Sequence, residues 1–317
     1  MQKDYFSNFR DALGATKLTF TEGKAKGIDV IIAHNNLFTM YILPDRGMDI
    51  YRLEYKGENI AYISPNGPVN PLHLGSSGIE SYWSTFIGGF LLTCGLDNVM
   101  GPEKRGNKTI IQHGTYTLTP ATDLKIETIE NNGEPHLEIS GKMEITALFG
   151  SRLVVKRLIT IKYNNPCFTL KDVIVNEGLK DDEYMIMYHH NIGYPLFNEN
   201  SNLNINKKET YMISKNSTID QFNAFDKPSP NIDEMVYMHK INKGIKDHVS
   251  IENDKYKLLI GWNQEKLPYM VQWKCMQKNN YVLGLEPAMS PYPKKEYRTI
   301  KVGEEHTYLL TYKFEDK

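Results

Sequence analysis

A chain of 317 residues is long for one ordinary domain, but it suits either two such domains or one oversized all-β domain. Its 37 Lys+Arg and 38 Asp+Glu leave a net charge of −1, with no cluster of five or more basic residues, which argues against a binder that tracks nucleic-acid phosphates. Hydrophobic residues at 40% and aromatics at 11% exclude a disordered chain, and 20 Tyr beside many Gly and Pro lean towards β structure.

Leu37–Leu43 and Met48–Tyr55 read as strands around the turn Pro44-Asp45-Arg46-Gly47. One short helix is expected near residues 78–87. There Ile79, Tyr82, Trp83 and Phe86 fall at i, i+3, i+4 and i+7. Ser77 with Glu80 fits a capping box, and Gly88-Gly89 ends the segment. Strands are then expected at Ile110–Thr117, Leu137–Ile145, Leu153–Tyr163, Phe168–Val175 and Tyr184–His190. In the second of these Leu137, Ile139, Met143 and Ile145 alternate with polar residues, the mark of one buried face. The polar stretch Asn198–Pro230 reads as an excursion or extra hairpin rather than a domain boundary. Further strands are expected at Lys257–Trp262, Tyr269–Met276, Tyr281–Glu286 and around Tyr308, Leu310, Tyr312 and Phe314. Many strands without alternating helices predict an all-β sandwich or barrel, with residues 1–317 forming a single domain.

The first residues, Met1 to Phe6, show no basic segment leading into an apolar one, so no signal peptide is expected. No apolar run reaches the roughly 18 residues that span a bilayer. Cys94, Cys167 and Cys275 are far apart and odd in number, and form neither a disulfide framework nor a metal knuckle. A cytoplasmic protein that meets no membrane is expected. The phosphate-loop, GxGxxG and HExxH patterns are absent, and Gly75-Ser76-Ser77-Gly78 lacks the last glycine of a nucleophile elbow.

Three segments carry polar groups among apolar ones: Gln112-His113-Gly114, His189-His190-Asn191, and Glu286 ahead of Pro287, which is expected to stop its strand. A histidine on an apolar strand is more often structural than catalytic, and a lone glutamate at a strand end more often faces solvent. A His/Glu couple is nevertheless the best acid–base pair on offer. Residues 189 and 190 point to opposite faces of a strand, so they do not form a two-ligand metal site.

Five segments resemble, in order, a bacterial branch of the aldose 1-epimerase (galactose mutarotase-like) superfamily. They are Leu43–Ile50, Ile63–Pro68, Phe90–Asn98, Tyr188–Leu196 and Gly284–Ala288. The resemblance implies a large β-supersandwich whose concave sheet face binds a small-molecule sugar. It implies a mutarotase-type isomerase that interconverts anomers by acid–base ring opening, with no cofactor and no metal. Its Leu-Glu-Pro context falls on Glu286, the implied base. Its His-x-Asn-x-Gly-Tyr-Pro segment falls on His189, the implied acid, with His190 as the alternative. A second family histidine, in a His-Gly pair, matches His113. Arg46, Asp97, Asn98 and Asn191 are candidate sugar ligands, and Trp273 a candidate stacking platform; each also has a plain structural reading. Where relatives often carry Arg after the His-Gly pair, this chain has Thr115, and Arg105 is the candidate to compensate. Near neutrality a carboxylate beside His189 is expected to favour the charged imidazole. A carbohydrate-binding protein without turnover, and an isomerase or lyase of an acidic sugar, remain alternatives. So do a monomer and a homodimer.

Overall fold

Period-two alternation in the chain becomes two large antiparallel sheets packed face to face. The computed structural model describes residues 5–73, 78–215, 217–244 and 247–317. The larger sheet runs, strand beside strand, through Gly14–Thr19, Asp29–His34, Phe38–Leu43, Asp49–Tyr55, Leu91–Leu96, Asp182–Ile192, Asn280–Ala288, Tyr269–Gln277, Met235–Ile241 and Lys207–Met212. The smaller runs through Asn202–Ile205, Asp247–Glu252, Tyr256–Trp262, Glu305–Asp316, Cys167–Asn176, Arg152–Lys162, Glu134–Thr146 and Ala121–Asn131. The stretch Asn198–Pro230 supplies an edge strand to each sheet. Asn202–Ile205 pairs with Asp247–Glu252, and Lys207–Met212 with Met235–Ile241.

Side chains from both sheets fill the layer between them. Phe168 stacks on Tyr312 with ring centroids 4.3 Å apart, and Phe90 of the turn before Leu91–Leu96 closes on both. A buried ion cluster also joins the layers. Arg157 of the smaller sheet grips Asp172 through Nε and Nη2 at 2.8 and 2.7 Å. It also reaches Asp49 Oδ1 at 3.2 Å and Thr93 Oγ1 at 2.9 Å on the larger sheet. Burial pushes Asp49 up to about 6 against the pull of Arg157. Such a cluster is costly to break from one side, about 3–5 kcal/mol, because a charge is left buried without its partner.

The helix forms at Gly78–Thr85, and Tyr82 and Phe86 turn their rings inward. Ser77 of the expected capping box, and residues 75–77 of the elbow-like run, lie outside the described residues. Among the described residues no helix is long and apolar enough to cross a membrane.

Two expectations about local structure are corrected. Residues 110–117 do not make a strand. A short strand ends at Ile110, His113 and Gly114 both take left-handed backbone angles (φ 61° and 73°), and a 3-10 turn follows at Tyr116–Leu118. The apolar pattern there reflects burial of a folded-back loop rather than a pleated face. Pro287 does not stop its strand, which continues to Ala288 and pairs Pro287 with Met270. The strands at 14–19, 29–34, 121–131 and 235–241 were hidden by weak alternation.

Candidate active site

The central strands Asp182–Ile192 and Asn280–Ala288 lie side by side in the larger sheet. Their register, Met187 opposite Ala288 and His190 opposite Leu285, sets His189 directly opposite Glu286. Cross-strand partners point to the same face, so the two side chains meet. His189 Nε2 and Glu286 Oε1 are 3.2 Å apart. Pro287 has no N–H to offer, and the ladder to the histidine strand carries no paired residues between these two anchor points. The carboxyl leans over Gly284, where a Cβ would come within 2.7 Å of Glu286 Oε1 and 2.9 Å of the Trp273 Cβ. A larger residue at 284 would displace it.

Alternation decides the histidine doublet. His189 faces the outer side of the sheet. His190 faces the smaller sheet, where its Nδ1 pairs with the Leu285 carbonyl at 2.7 Å and its Nε2 with the Tyr312 hydroxyl at 2.9 Å. Both of its nitrogens are used in the core. His189 Nδ1 is enclosed and finds no partner among the described residues, which leaves Nε2 as the nitrogen available for chemistry.

Both members of the couple are almost fully buried, at 4% and 2% exposure. Burial, reinforced by the Glu234 carboxylate, pushes the Glu286 carboxyl well above the usual range. Burial, with the imidazoles of His113 and His190 adding to it, holds His189 well below its ordinary value. The expectation that the carboxylate would keep His189 charged is therefore corrected. Burial disfavours charge on both groups, which favours the uncharged couple with its one proton on the carboxyl.

His113 comes from the folded-back loop. Its Nδ1 accepts from the Met100 N–H at 3.2 Å, which leaves the proton on Nε2. Its ring meets that of His189 edge-on, centroids 5.3 Å apart. Burial, with Lys295 adding to it, pushes its pKa down to about 3, so it is a neutral donor. Gly114 is required beside it: a Cβ there would lie 2.4 Å from Asp97 Oδ1 and 2.7 Å from the Asn98 carbonyl.

These three groups line a cavity of about 250 Å³. Its walls are Tyr82, Trp83, Phe86, Val271 and Trp273, with Gln112 and Glu234 as further polar groups. Trp273 stands 5.9 Å from His189, ring to ring, and its Nε1 donates to Glu234 Oε2 at 2.8 Å. Sequence reasoning missed Glu234, which follows Asp233 just ahead of the strand Met235–Ile241. It read Tyr82 and Phe86 only as the apolar face of a helix.

The other candidate ligands lie outside this cavity. Arg46 is buried and donates to the Val69 carbonyl at 2.7 Å. Asp97 accepts from the Thr115 N–H and hydroxyl at 2.9 and 3.1 Å, which gives Thr115 its place. Asn98 ties the loop through the carbonyls of Gly101 and Ile111. Asn191 shares the face of His189 but donates to the Gly89 carbonyl at 3.0 Å. Arg105 is held by Glu103 and the Asp97 carbonyl and does not line the cavity either. Among the described residues no group of His, Cys, Asp and Glu is arranged to hold a metal ion.

Residues 25–313 match the model of a domain of unknown function, DUF4432. The chain belongs to this family. Its fold is that of the galactose mutarotase-like proteins. A "putative aldose 1-epimerase" from Klebsiella pneumoniae superposes with a TM-score of 0.88 at 21% identity, covering 95% of this chain and 83% of that one. A galactose mutarotase-like protein from Clostridium acetobutylicum gives 0.67 at 13% identity, covering 97% and 100%. A galactose 1-epimerase from Lactobacillus acidophilus gives 0.61 at 13% identity, covering 96% and 99%. No curated protein matches the sequence.

Proposed function

We propose that this member of the DUF4432 family is an aldose 1-epimerase-type isomerase acting on a neutral sugar. The observation that carries the reading is the His189–Glu286 couple, 3.2 Å apart on the floor of an aromatic-walled cavity. Mutarotation takes one proton from the anomeric hydroxyl and gives one to the ring oxygen, two atoms bonded to the same carbon. A couple holding a single proton between two adjacent groups matches that stoichiometry.

Sugar hydroxyls that donate to Glu286 stabilise its carboxylate form and move the shared proton across to His189. Glu286 then takes the anomeric proton as His189 Nε2 protonates the ring oxygen, and the C1–ring-oxygen bond breaks to leave an open-chain aldehyde. The carbonyl turns about the C1–C2 bond. His189 recovers its proton from the chain hydroxyl as that oxygen attacks C1, and Glu286 returns a proton to the new anomeric oxygen. The protein ends as it began. His113 Nε2–H is a neutral donor to a sugar oxygen, and Trp273 supplies an apolar face for the ring.

The charge of the cavity favours a neutral substrate. Its described lining holds the Glu234 carboxylate and no Lys or Arg, so a phosphate, sulfonate or uronate would find no counter-charge there. NMR exchange spectroscopy with neutral aldoses, uronates and sugar phosphates tests the proposal. Protein-dependent anomer exchange of a neutral aldose is expected. Ligand shifts without exchange would make the protein a sugar binder, and exchange confined to anionic sugars would overturn the substrate class.

A further inference from the structure

The catalytic cavity does not end at Trp273. Beside it opens a second cavity of about 360 Å³, and the two share Trp83, Phe86 and Trp273 as a common wall. Trp273, Cys275 and Gln277 follow one another on the outer face of the strand Tyr269–Gln277, so the sheet that carries Glu286 also floors this space. Asn280, across the hairpin, and Tyr62 complete a polar row. The Tyr62 hydroxyl donates to Asn280 Oδ1 at 3.1 Å, and Asn280 Nδ2 donates to Gln277 Oε1 at 3.0 Å. Among the described residues, no side chain lining this second cavity is charged.

Neutral amides and a phenol set beside two indoles are the chemistry that recognises a pyranose, whose faces are apolar and whose rim is hydroxylated. Size points the same way. Alone, the first cavity is smaller than the roughly 300 Å³ at which ligand pockets usually begin, and the two joined lie well inside the usual range.

We propose that the second cavity is a further sugar subsite, and that the substrate is a neutral reducing disaccharide. The inference rests on the mutarotase reading of the first cavity, because a free anomeric carbon must sit at His189 and Glu286. That requirement orients the ligand, with the reducing ring over the couple and the next ring past Trp273 against Gln277 and Asn280.

The test measures affinity and turnover separately. Calorimetric affinities of the full chain carrying Glu286→Gln are compared for glucose and galactose against maltose, cellobiose and lactose. At least one disaccharide is expected to bind about ten-fold tighter than its reducing-end monosaccharide. Gln277→Trp, which fills the second cavity, is expected to abolish that gain and leave monosaccharide affinity unchanged. Gln277→Ala, a milder change at a half-buried position, is expected to reduce the gain. If no disaccharide exceeds its monosaccharide, or if Gln277→Trp weakens both alike, the second subsite is overturned. Anomer exchange by the wild-type chain on the same sugars reports on the catalytic reading by itself. Exchange of monosaccharides without a disaccharide preference refutes only the subsite, and absence of exchange on every sugar refutes the reaction.

Discussion

Replacing Glu286 by Gln separates the chemistry of the couple from its cost to the fold. The amide has the shape of the protonated carboxyl and keeps a donor towards His189 Nε2, 3.2 Å away, but it cannot take or return a proton. Anomer exchange should fall by about 10²–10⁴, or about 3–5 kcal/mol of barrier. Stability should move the other way. In the folded chain Glu286 sits well above its ordinary value, so the folded state keeps a proton that the unfolded state releases above about pH 4.3. The contribution is fully present below the unfolded value and is lost as pH rises towards the folded one, at about 1.4 kcal/mol per pH unit. The amide has no such dependence. Variant and wild type should therefore melt alike near pH 4.5, and the variant should gain on the wild type as pH rises above that. For 317 residues a kcal/mol corresponds to about 1.5 °C in Tm, so each pH unit between the two values should widen the difference by about 2 °C. Thermal melts across pH, with NMR exchange on the same samples, make the measurement. Exchange within ten-fold of wild type, or a variant less stable at pH 7.5 than at 4.5 relative to wild type, would refute the reasoning.

The histidine doublet offers a sharper contrast. His189→Ala should abolish exchange with little change in melting, whereas His190→Ala should cost about 2–4 kcal/mol by stranding the Leu285 carbonyl and the Tyr312 hydroxyl in the core, as calorimetry would show. The pH–rate profile should be a broad plateau. The couple holds one proton from the point where His189, held low, gains a second to the point where Glu286, held high, loses its own. A rate that instead climbs through about pH 6.5, as for a free imidazole, would contradict the coupled pair. Acid should destabilise the protein early. His113, His190 and His239 are held down to about 3, 4 and 4 by burial and stay neutral when folded, but gain protons on unfolding below about pH 6.5. Their stabilisation is present above that pH and is lost as pH falls towards 4, at up to about 1.4 kcal/mol per unit for each group; a flat Tm between pH 6.5 and 4.5 would count against this.

Much of the architecture was legible because alternation is a local property. Leu137, Ile139, Met143 and Ile145 announce a one-faced strand without reference to any neighbour, and the structure places that strand at Glu134–Thr146. Where alternation fails, so does the reading. Residues 110–117 are apolar because a reversed loop is buried, and Leu91–Leu96 is buried at every position and shows no period. The candidate ligands divide for a related reason. Asp97, Asn98 and Arg46 look like sugar ligands in a motif, but hold backbone carbonyls and Thr115 instead. A residue type that binds hydroxyls binds peptide groups equally well, and only its surroundings distinguish the two.

From the chain alone it followed that His189 and His190 must face opposite ways, that Glu286 sits among apolar neighbours, and that a His/Glu couple was the best acid–base chemistry available. Which histidine meets the glutamate did not follow. That depends on which face of the sheet the second sheet covers, and on a register between strands far apart in sequence that sets residue 189 against 286. Nor did the protonation of the couple follow. A carboxylate beside an imidazole reads as an ion pair on paper; closing the larger sheet, the helix and the loop around it buries both groups, and burial favours the uncharged form of each.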